Sequence, residues 1–167
     1  ISLGRETFDI NYASKKLIKI KKIINNLSLD ICYFDKLITN DETGNNALKF
    51  FEKNKCEKYI VIQSTFTDAK FISLFVKKFK KPVLFIVLKE KRTGGRLRLN
   101  SLCGVNLGLH SLVKKNFYSN FIIYSNNIKY VALEINKFRQ NRNYIKKNYL
   151  KKISTIKDIN KKKLQFK

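Results

Sequence analysis

Short apolar runs alternate with stretches of helical periodicity along most of this chain. Each run predicts a strand, and the segment that follows it has apolar positions every three or four residues. This alternation indicates a parallel sheet with right-handed crossover helices on both faces. We therefore expect an α/β, flavodoxin-like (Rossmann-like) three-layer sandwich with a five-stranded sheet in the order 2-1-3-4-5. The predicted strands are residues 1–3, 31–34, 59–62, 83–88 and 121–124.

Capping residues and apolar spacing predict the helices between these strands. Lysines cover the outer side of the first, as on the polar face of an amphipathic helix. Thr67 is predicted to cap the third helix, and Pro82 follows it. The predicted helices are residues 12–27, a second from Asn40 or Asp41 to about residue 53, a third after Thr67, a fourth from Asn100 or Ser101, and a fifth over about 128–150.

The domain organisation follows from these elements. A chain of 167 residues can bury one core. We expect one α/β domain over residues 1–150, followed by a lysine-rich tail over 151–167. Residues 1–3 have the pattern of the end of a strand, and the chain contains no methionine. The sequence therefore predicts an incomplete first strand and a fragment, or one piece of a longer chain.

A net charge of +24 first suggests a nucleic-acid partner. However, the chain has 30 lysines and only 6 arginines, and it is rich in asparagine and isoleucine. These residue types have A/T-rich codons, so the composition indicates an AT-rich genome rather than a selected binding surface. Specific nucleic-acid binding is therefore not favoured, although residues 137–167, with a net charge of +11, are suited to non-specific polyanion contact.

Composition also bears on the cellular compartment. No apolar run approaches the roughly 18 residues that span a bilayer, and no signal-peptide pattern is present. Cys32, Cys56 and Cys103 are odd in number and lack metal-type spacing, as expected of reduced thiols. We predict a cytoplasmic protein without a membrane partner.

Three polar loops follow the first, third and fourth predicted strands. The carboxyl ends of parallel strands share one edge of the sheet, and ligands bind there at the topological switch point. We therefore expect this edge to contact a ligand or a partner subunit. We call the loops loop 1 (residues 4–9, GRETFD), loop 3 (residues 63–68, QSTFTD) and loop 4 (residues 89–100, KEKRTGGRLRLN).

Glycines and arginines are concentrated in loop 4. Gly94 and Gly95 either cradle an anion with backbone N–H groups or form a tight turn. Arg96 and Arg98 either pair with carboxylates across an interface, through their bidentate forks, or remain solvated. Neither a G-x-G-x-x-G nor a lysine-bearing phosphate loop is present, so no motif supports nucleotide binding.

The remaining polar candidates give weaker signals. Asp9 and Asp68 are predicted to be helix caps, whereas Glu6 and Glu90 are available for chemistry without a second acid at a fixed spacing. His110 is the only histidine and is predicted to be structural. One histidine without a cysteine or carboxylate cluster does not favour a complete metal site, and no Gly-x-Ser-x-Gly elbow is present.

The run TGGRLRLNSLCGVNL at residues 93–107, with His110 and Leu112 beyond it, resembles a known family. It is similar to the first domain of the L-fucose isomerase-like and L-arabinose isomerase-like sugar ketol-isomerases. Loop 1 and loop 3 are similar to the other two N-terminal motifs of that family. The resemblance covers roughly residues 1–135 and ends before the lysine-rich segment beyond Tyr144, where the family would continue with a further strand.

The resemblance implies a carbohydrate-metabolism enzyme that interconverts aldoses and ketoses, usually with a divalent metal such as Mn²⁺. The family's metal ligands and catalytic acid and base lie in later domains, so this chain alone is expected to be inactive and to bind no cofactor itself. Its implied share is contact within a homo-oligomer, or with the remaining domains, and with a sugar at a neighbouring subunit's site. The implied substrate-binding residues are Arg5, Gly94, Gly95 and Arg96, and the implied interface residues are Arg98 and Asn100.

Two other interpretations stay open at this point. One is a stand-alone flavodoxin-like module that binds a small polar ligand or a partner protein. The other is a degraded remnant without isomerase activity. A basic nucleic-acid binder fits less well, because lysine is spread over several helices rather than concentrated with arginine and aromatic residues on one face.

Overall fold

The computed structural model describes residues 1–27, 29–91, 94–113, 117, 120–124 and 127–140, and of residues 120–123 only the backbone. Strands and helices alternate along the described chain. The strands are β1 (Ser2–Leu3), β2 (Leu37–Ile38), β3 (Tyr59–Gln63), β4 (Val83–Leu88) and β5 (Asn120–Tyr124). The helices are α1 (Ile10–Asn25), α2 (Asp41–Asn54), α3 (Lys70–Phe79), α4 (Ser101–Val113) and α5 (Ile128–Gln140).

The strands form a parallel sheet. Four of them lie in the order β2-β1-β3-β4, and β5 pairs with β4 at its outer side. This arrangement confirms the predicted α/β class, the parallel sheet and the crossover between β1 and β3. The gap between loop 1 and loop 3 is therefore the topological switch point of the sheet, where α/β proteins bind ligands.

Two apolar layers flank the sheet, and β4 contributes to both. All six residues of β4 are buried. Leu84, Ile86 and Leu88 belong to the cluster that also includes residues of α1 and α5. The alternate residues of β4 belong to the second cluster, with residues of α2, α3 and α4. Because side chains alternate across a strand, this division gives the three-layer arrangement expected of a strand buried on both faces.

Local capping explains where the first two helices begin. Helix α1 begins two residues earlier than predicted, because the Asp9 side chain accepts a hydrogen bond from the backbone N–H of Tyr12 at 2.8 Å. Helix α2 begins as predicted after Asn40, which forms a reciprocal capping box with Thr43.

The predicted second strand at residues 31–34 is wrong, because the strand is Leu37–Ile38. Its register places Leu37 beside Ser2 and Ile38 beside Leu3. Residues 31–34 thus have no β1 residue beside them, and a strand without a paired neighbour lacks its ladder hydrogen bonds. Apolar patterning alone could not reveal this.

The predicted cap of the third helix is also wrong. Helix α3 begins at Lys70 after Ala69, and the side chain whose oxygen accepts the Lys70 N–H belongs to Asp68, not to Thr67. The hydroxyl of Thr67 instead accepts a hydrogen bond from Gln63 Nε2 at 2.9 Å. The predicted continuation of the fifth helix to residue 150 and the tail at 151–167 lie outside the described residues.

Among the residues that the structure describes, no helix is both long and apolar enough to cross a lipid bilayer. The three cysteines are free thiols: Cys32 and Cys56 are half-buried and Cys103 is exposed.

Candidate functional site

The predicted convergence of the three loops is confirmed by hydrogen bonds between them. The backbone N–H of Arg5 donates to the hydroxyl of Thr65 at 2.8 Å, which joins loop 1 to loop 3. The N–H of Phe66 donates to the carbonyl oxygen of Leu99 at 2.7 Å, which joins loop 3 to loop 4. These contacts bring segments that are 60 and 33 positions apart to one edge of the sheet.

Arg5 extends from loop 1 to loop 3. Its Nη2 donates to Asp68 Oδ2 at 2.8 Å, and the guanidinium lies 5.6 Å from the ring centroid of Phe66. The Arg5 side chain remains 42% exposed. It is therefore oriented by an aromatic ring and a carboxylate while part of it stays accessible to a ligand at the switch point.

The Arg98 side chain forms hydrogen bonds with loop 1 of the same chain. Its Nε donates to Asp9 Oδ2 at 2.9 Å, its Nη2 donates to the same oxygen, and the guanidinium lies 4.0 Å from the ring centroid of Tyr12. The backbone N–H of Tyr12, and after it the Arg98 guanidinium, lower the pKa of Asp9. Arg98 thus fastens loop 4 to the start of α1, and its implied role at a subunit interface stays a prediction.

Arg96 also reaches loop 1, although it is exposed. Its Nη2 donates to the carbonyl oxygen of Thr7 at 3.1 Å. A single backbone contact of this kind leaves the other guanidinium donors available, since arginine carries five N–H groups. The structure therefore places Arg96 and Arg5 on the same set of joined loops, with part of each side chain exposed.

Gly94 and Gly95 adopt backbone conformations that favour glycine. Their φ values are +79° and +67°, in the region that side-chain-bearing residues rarely adopt, and a Cβ at either position would meet no atom within 4 Å. The two residues border an open pocket of about 240 Å³. Its lining consists of Glu90, Lys91, Gly94, Gly95, Arg96, Leu97 and Arg98. Arg92 and Thr93 of the same motif lie outside the described residues.

Glu90, which the sequence left available for chemistry, accepts two backbone N–H groups of its own loop. Its Oε2 accepts from the N–H of Leu99 at 2.9 Å and its Oε1 accepts from the N–H of Asn100 at 2.8 Å. The carboxylate thus closes loop 4 and lies just ahead of α4, where negative charge is favourable. Glu6 accepts a bond from the Thr39 hydroxyl at 3.5 Å.

Asn100 occupies the position between loop 4 and α4. Its φ is +51°, a left-handed conformation that asparagine tolerates better than most residues. Its Oδ1 is buried and has no hydrogen-bond partner among the described residues. Asn100 therefore turns the backbone from loop 4 into α4, while its implied interface role stays a prediction.

The Gln63 side chain forms hydrogen bonds within loop 3, a role that the sequence did not predict. It is 2% exposed, and its Nε2 donates to the carbonyl oxygen of Thr65 at 2.7 Å and to the Thr67 hydroxyl. A Cβ added to Gly104 would lie 2.8 Å from that Nε2. Helix α4 therefore packs directly against loop 3 because residue 104 has no side chain.

Asp68, the second predicted cap, accepts a hydrogen bond from the backbone N–H of Lys70 at 3.0 Å. It therefore supports the first turn of α3 and pairs with Arg5 at the same time. His110 lies exposed in the last turn of α4.

The described part of the chain contains no complete site for a divalent metal. Its histidine, cysteine and acidic side chains form no group of three or more that could hold an ion. Glu90 already accepts two backbone N–H groups, and Asp9 and Asp68 each pair with an arginine. We therefore assign no metal-dependent step to these residues.

The chain is similar in sequence to one known family and to several known proteins. The family described as fucose/sulfoquinovose isomerase, N-terminal domain, matches residues 1–147. A sulfoquinovose isomerase from Priestia megaterium is 31% identical over 106 residues, which is 64% of this chain and 24% of the relative. The sulfoquinovose isomerase of Clostridium sp. (strain MSTE9) is 31% identical over 106 residues, covering 62% of this chain and 23% of the relative.

A third relative, a sulfoquinovose isomerase from Alkalicoccus urumqiensis, is 46% identical over 54 residues, or 32% of this chain and 12% of its own length. The chain spans about a quarter of the length of the first of these relatives, at 24%. The family match itself extends over most of the chain and includes all three loops. This chain therefore belongs to the family of fucose/sulfoquinovose isomerase N-terminal domains.

Proposed function

We propose that this chain is the flavodoxin-like N-terminal domain of a cytoplasmic sugar ketol-isomerase. In this proposal its five-stranded sheet presents loops 1, 3 and 4 to a sugar site shared with a neighbouring subunit or with further domains. Arg5, Gly94, Gly95 and Arg96 contact the sugar, and Arg98 and Asn100 position the interface. The observation that carries the proposal is the joining of three distant loops at the switch point.

Loop 4 carries five basic residues and one acid, which favours an anionic sugar. Arg5 and Arg96 are partly exposed, and Lys91 is exposed beside the pocket. The one acid lining that pocket, Glu90, is occupied by two backbone N–H groups. Sulfoquinovose, named in the relatives, carries a sulfonate, and arginine forms bidentate hydrogen bonds with such oxyanions.

Ketol isomerisation moves a proton between adjacent carbons, and a divalent metal such as Mn²⁺ polarises the two oxygens. In our proposal that chemistry belongs to parts of the assembly outside this chain. The residues described here bind and orient the sugar and contribute charge. We accordingly expect no aldose–ketose conversion by the 167-residue chain, with or without added Mn²⁺.

Amide chemical shifts of the ¹⁵N-labelled chain, titrated with sulfoquinovose, test the proposal. We expect shifts at Arg5 and at Gly94–Arg96 that saturate at millimolar sugar, because only part of the site is present. Glucose, which lacks the sulfonate, is the matched neutral control and should give smaller shifts. Arg96→Ala should weaken the response without altering the fold. Shifts confined to α1, or none at all, would contradict the proposed site, and turnover by the isolated chain would contradict the accessory role.

A further inference from the structure

Two of the three cysteines lie together at the amino-terminal edge of the sheet. Cys32 belongs to the connection between α1 and β2, and Cys56 belongs to the connection between α2 and β3. Both are half-buried, and both line a cavity of about 760 Å³ that Ile1 and Tyr59 also border. The cavity therefore lies at the edge of the sheet opposite to loops 1, 3 and 4.

Asn54, the last residue of α2, contacts both sulfur atoms. Cys32 Sγ donates to Asn54 Oδ1 at 3.5 Å, and Cys56 Sγ donates to the carbonyl oxygen of Asn54 at 3.9 Å. The Asn54 side chain is itself held, because its Nδ2 donates to the carbonyl oxygen of Phe50 at 2.7 Å. Two thiols from separate connections thus meet at the same residue.

The two thiols also act directly on each other. Burial is the largest cause that raises the pKa of the Cys56 thiol, and the neighbouring Cys32, by its charge and by a side-chain hydrogen bond, raises that pKa further. Such an effect requires the two side chains to be in contact. Cys103, in contrast, is exposed on α4 and lines neither this cavity nor Asn54.

From this juxtaposition we propose that Cys32 and Cys56 form a reversible disulfide within the chain, by exchange with a small anionic disulfide such as oxidised glutathione. The thiolate of one cysteine attacks the reagent and releases one glutathione thiolate. The thiolate of the other cysteine attacks the protein sulfur of the mixed disulfide and releases the second. The cysteine pair loses two electrons and two protons, and oxidised glutathione becomes two thiols. The net charge of +24 attracts the anionic reagent.

The disulfide would fasten an edge strand of the sheet. Residues 29–36 form neither helix nor strand, and they lead directly into β2, which has only two residues. The carbonyl oxygen of Ile38 in β2 accepts a hydrogen bond from the N–H of Gly4 at 3.0 Å, so β2 supports the start of loop 1. Oxidation should therefore slow amide hydrogen exchange at Gly4. The inference does not depend on the proposed sugar site, and its test needs no sugar.

Peptide mapping of the 167-residue chain after incubation with oxidised glutathione tests the proposal. We expect a linked peptide pair that contains Cys32 and Cys56, a glutathione adduct on Cys103, and reversal of both by dithiothreitol. In Cys56→Ser the reaction should stop at a glutathione adduct on Cys32. The exposed Cys103 shows that the reagent is active. Absence of the Cys32–Cys56 link when Cys103 is fully modified, or a main product linked through Cys103, would overturn the proposal.

A stability measurement separates a disulfide that fits the fold from one that distorts it. In a Cys103→Ser background, the oxidised chain should unfold several degrees higher than the reduced chain, because the link constrains the unfolded state. The same treatment of Cys32→Ser, in that background, should give no such rise. Oxidation of the three-cysteine chain in urea should produce competing pairings. An unchanged or lower unfolding temperature, or the same preference for Cys32–Cys56 in urea, would contradict the proposal.

Discussion

Arg98 Nε donates to Asp9 Oδ2 at 2.9 Å, although the two residues are 89 positions apart. The same aspartate accepts the backbone N–H of Tyr12 through Oδ1, and its own N–H donates to the carbonyl oxygen of Arg98 at 3.0 Å. One residue therefore starts α1 and fastens loop 4. The position of the proposed sugar-binding loop depends on a helix cap on a different element.

Substitutions at Asp9 should separate its two roles. Asparagine keeps an oxygen that caps α1 but loses the charge, whereas alanine loses both. We expect Asp9→Ala to lower the free energy of unfolding more than Asp9→Asn, and Arg98→Ala to resemble Asp9→Asn. Urea unfolding measures all three. Equal losses for the asparagine and alanine variants would contradict a separate contribution from the cap.

Acid should weaken the ion pair between Asp9 and Arg98. The Tyr12 N–H and the Arg98 guanidinium lower the folded-state pKa of Asp9 below its ordinary 3.8. A lowered carboxyl pKa contributes stability that is present above pH 3.8 and is lost as pH falls through the folded-state value. A carbon-detected NMR titration should place the Asp9 pKa below 3.8, and Arg98→Ala should return it only part of the way. If Arg98→Ala returned the Asp9 pKa fully to 3.8, the Tyr12 N–H would contribute nothing to the lowered pKa.

Two glycines in α4 should respond oppositely to alanine. At Gly104 a Cβ would lie 2.8 Å from Gln63 Nε2 and 3.0 Å from the backbone nitrogen of Thr67, so Gly104→Ala should cost about 1–3 kcal/mol by overpacking. At Gly108 a Cβ would make an ordinary 3.5 Å contact with Ile72, and alanine favours the helix by up to about 1 kcal/mol. Thermal unfolding measures both variants. Destabilisation by Gly108→Ala equal to that of Gly104→Ala would contradict this account of α4 packing.

Amide hydrogens of loop 4 should exchange faster with solvent when Glu90 is replaced. Glu90→Gln keeps only one acceptor oxygen for the N–H groups of Leu99 and Asn100, so one charge-assisted hydrogen bond is lost, worth about 1.5–3 kcal/mol at most. We expect faster amide hydrogen exchange at one of these two residues. Lys91→Gln, in the same loop, is the control and should leave both rates unchanged. Unchanged exchange in Glu90→Gln would show that the carboxylate does not hold the loop.

The sequence was most informative where one local rule decides the outcome. The apolar run of β4 matches Val83–Leu88 residue for residue, because a strand buried on both faces requires continuous apolar side chains. The convergence of loops 1, 3 and 4 was predictable for a similar reason, since the carboxyl ends of parallel strands meet at one edge. The predicted cap role of Asp9 follows from its chemistry alone.

It was least informative where a residue's partner is distant in sequence. The true position of β2 depends on which residues of β1 lie beside it. The Thr67 hydroxyl, predicted to cap α3, instead accepts a hydrogen bond from Gln63. Glu90 looked available because no spacing rule reveals that a loop will turn its backbone N–H groups onto a carboxylate.

The sequence by itself determined the α/β class, the parallel sheet, the family and the three loops that carry the proposed site. Each depends on periodicity or on a contiguous motif, which are local properties of the chain. Only the tertiary structure decided that Arg98 is bound by Asp9, that Glu90 closes loop 4 and that Cys32 and Cys56 meet beside Asn54. These outcomes depend on the distances between segments that are far apart along the chain, and packing alone sets those distances.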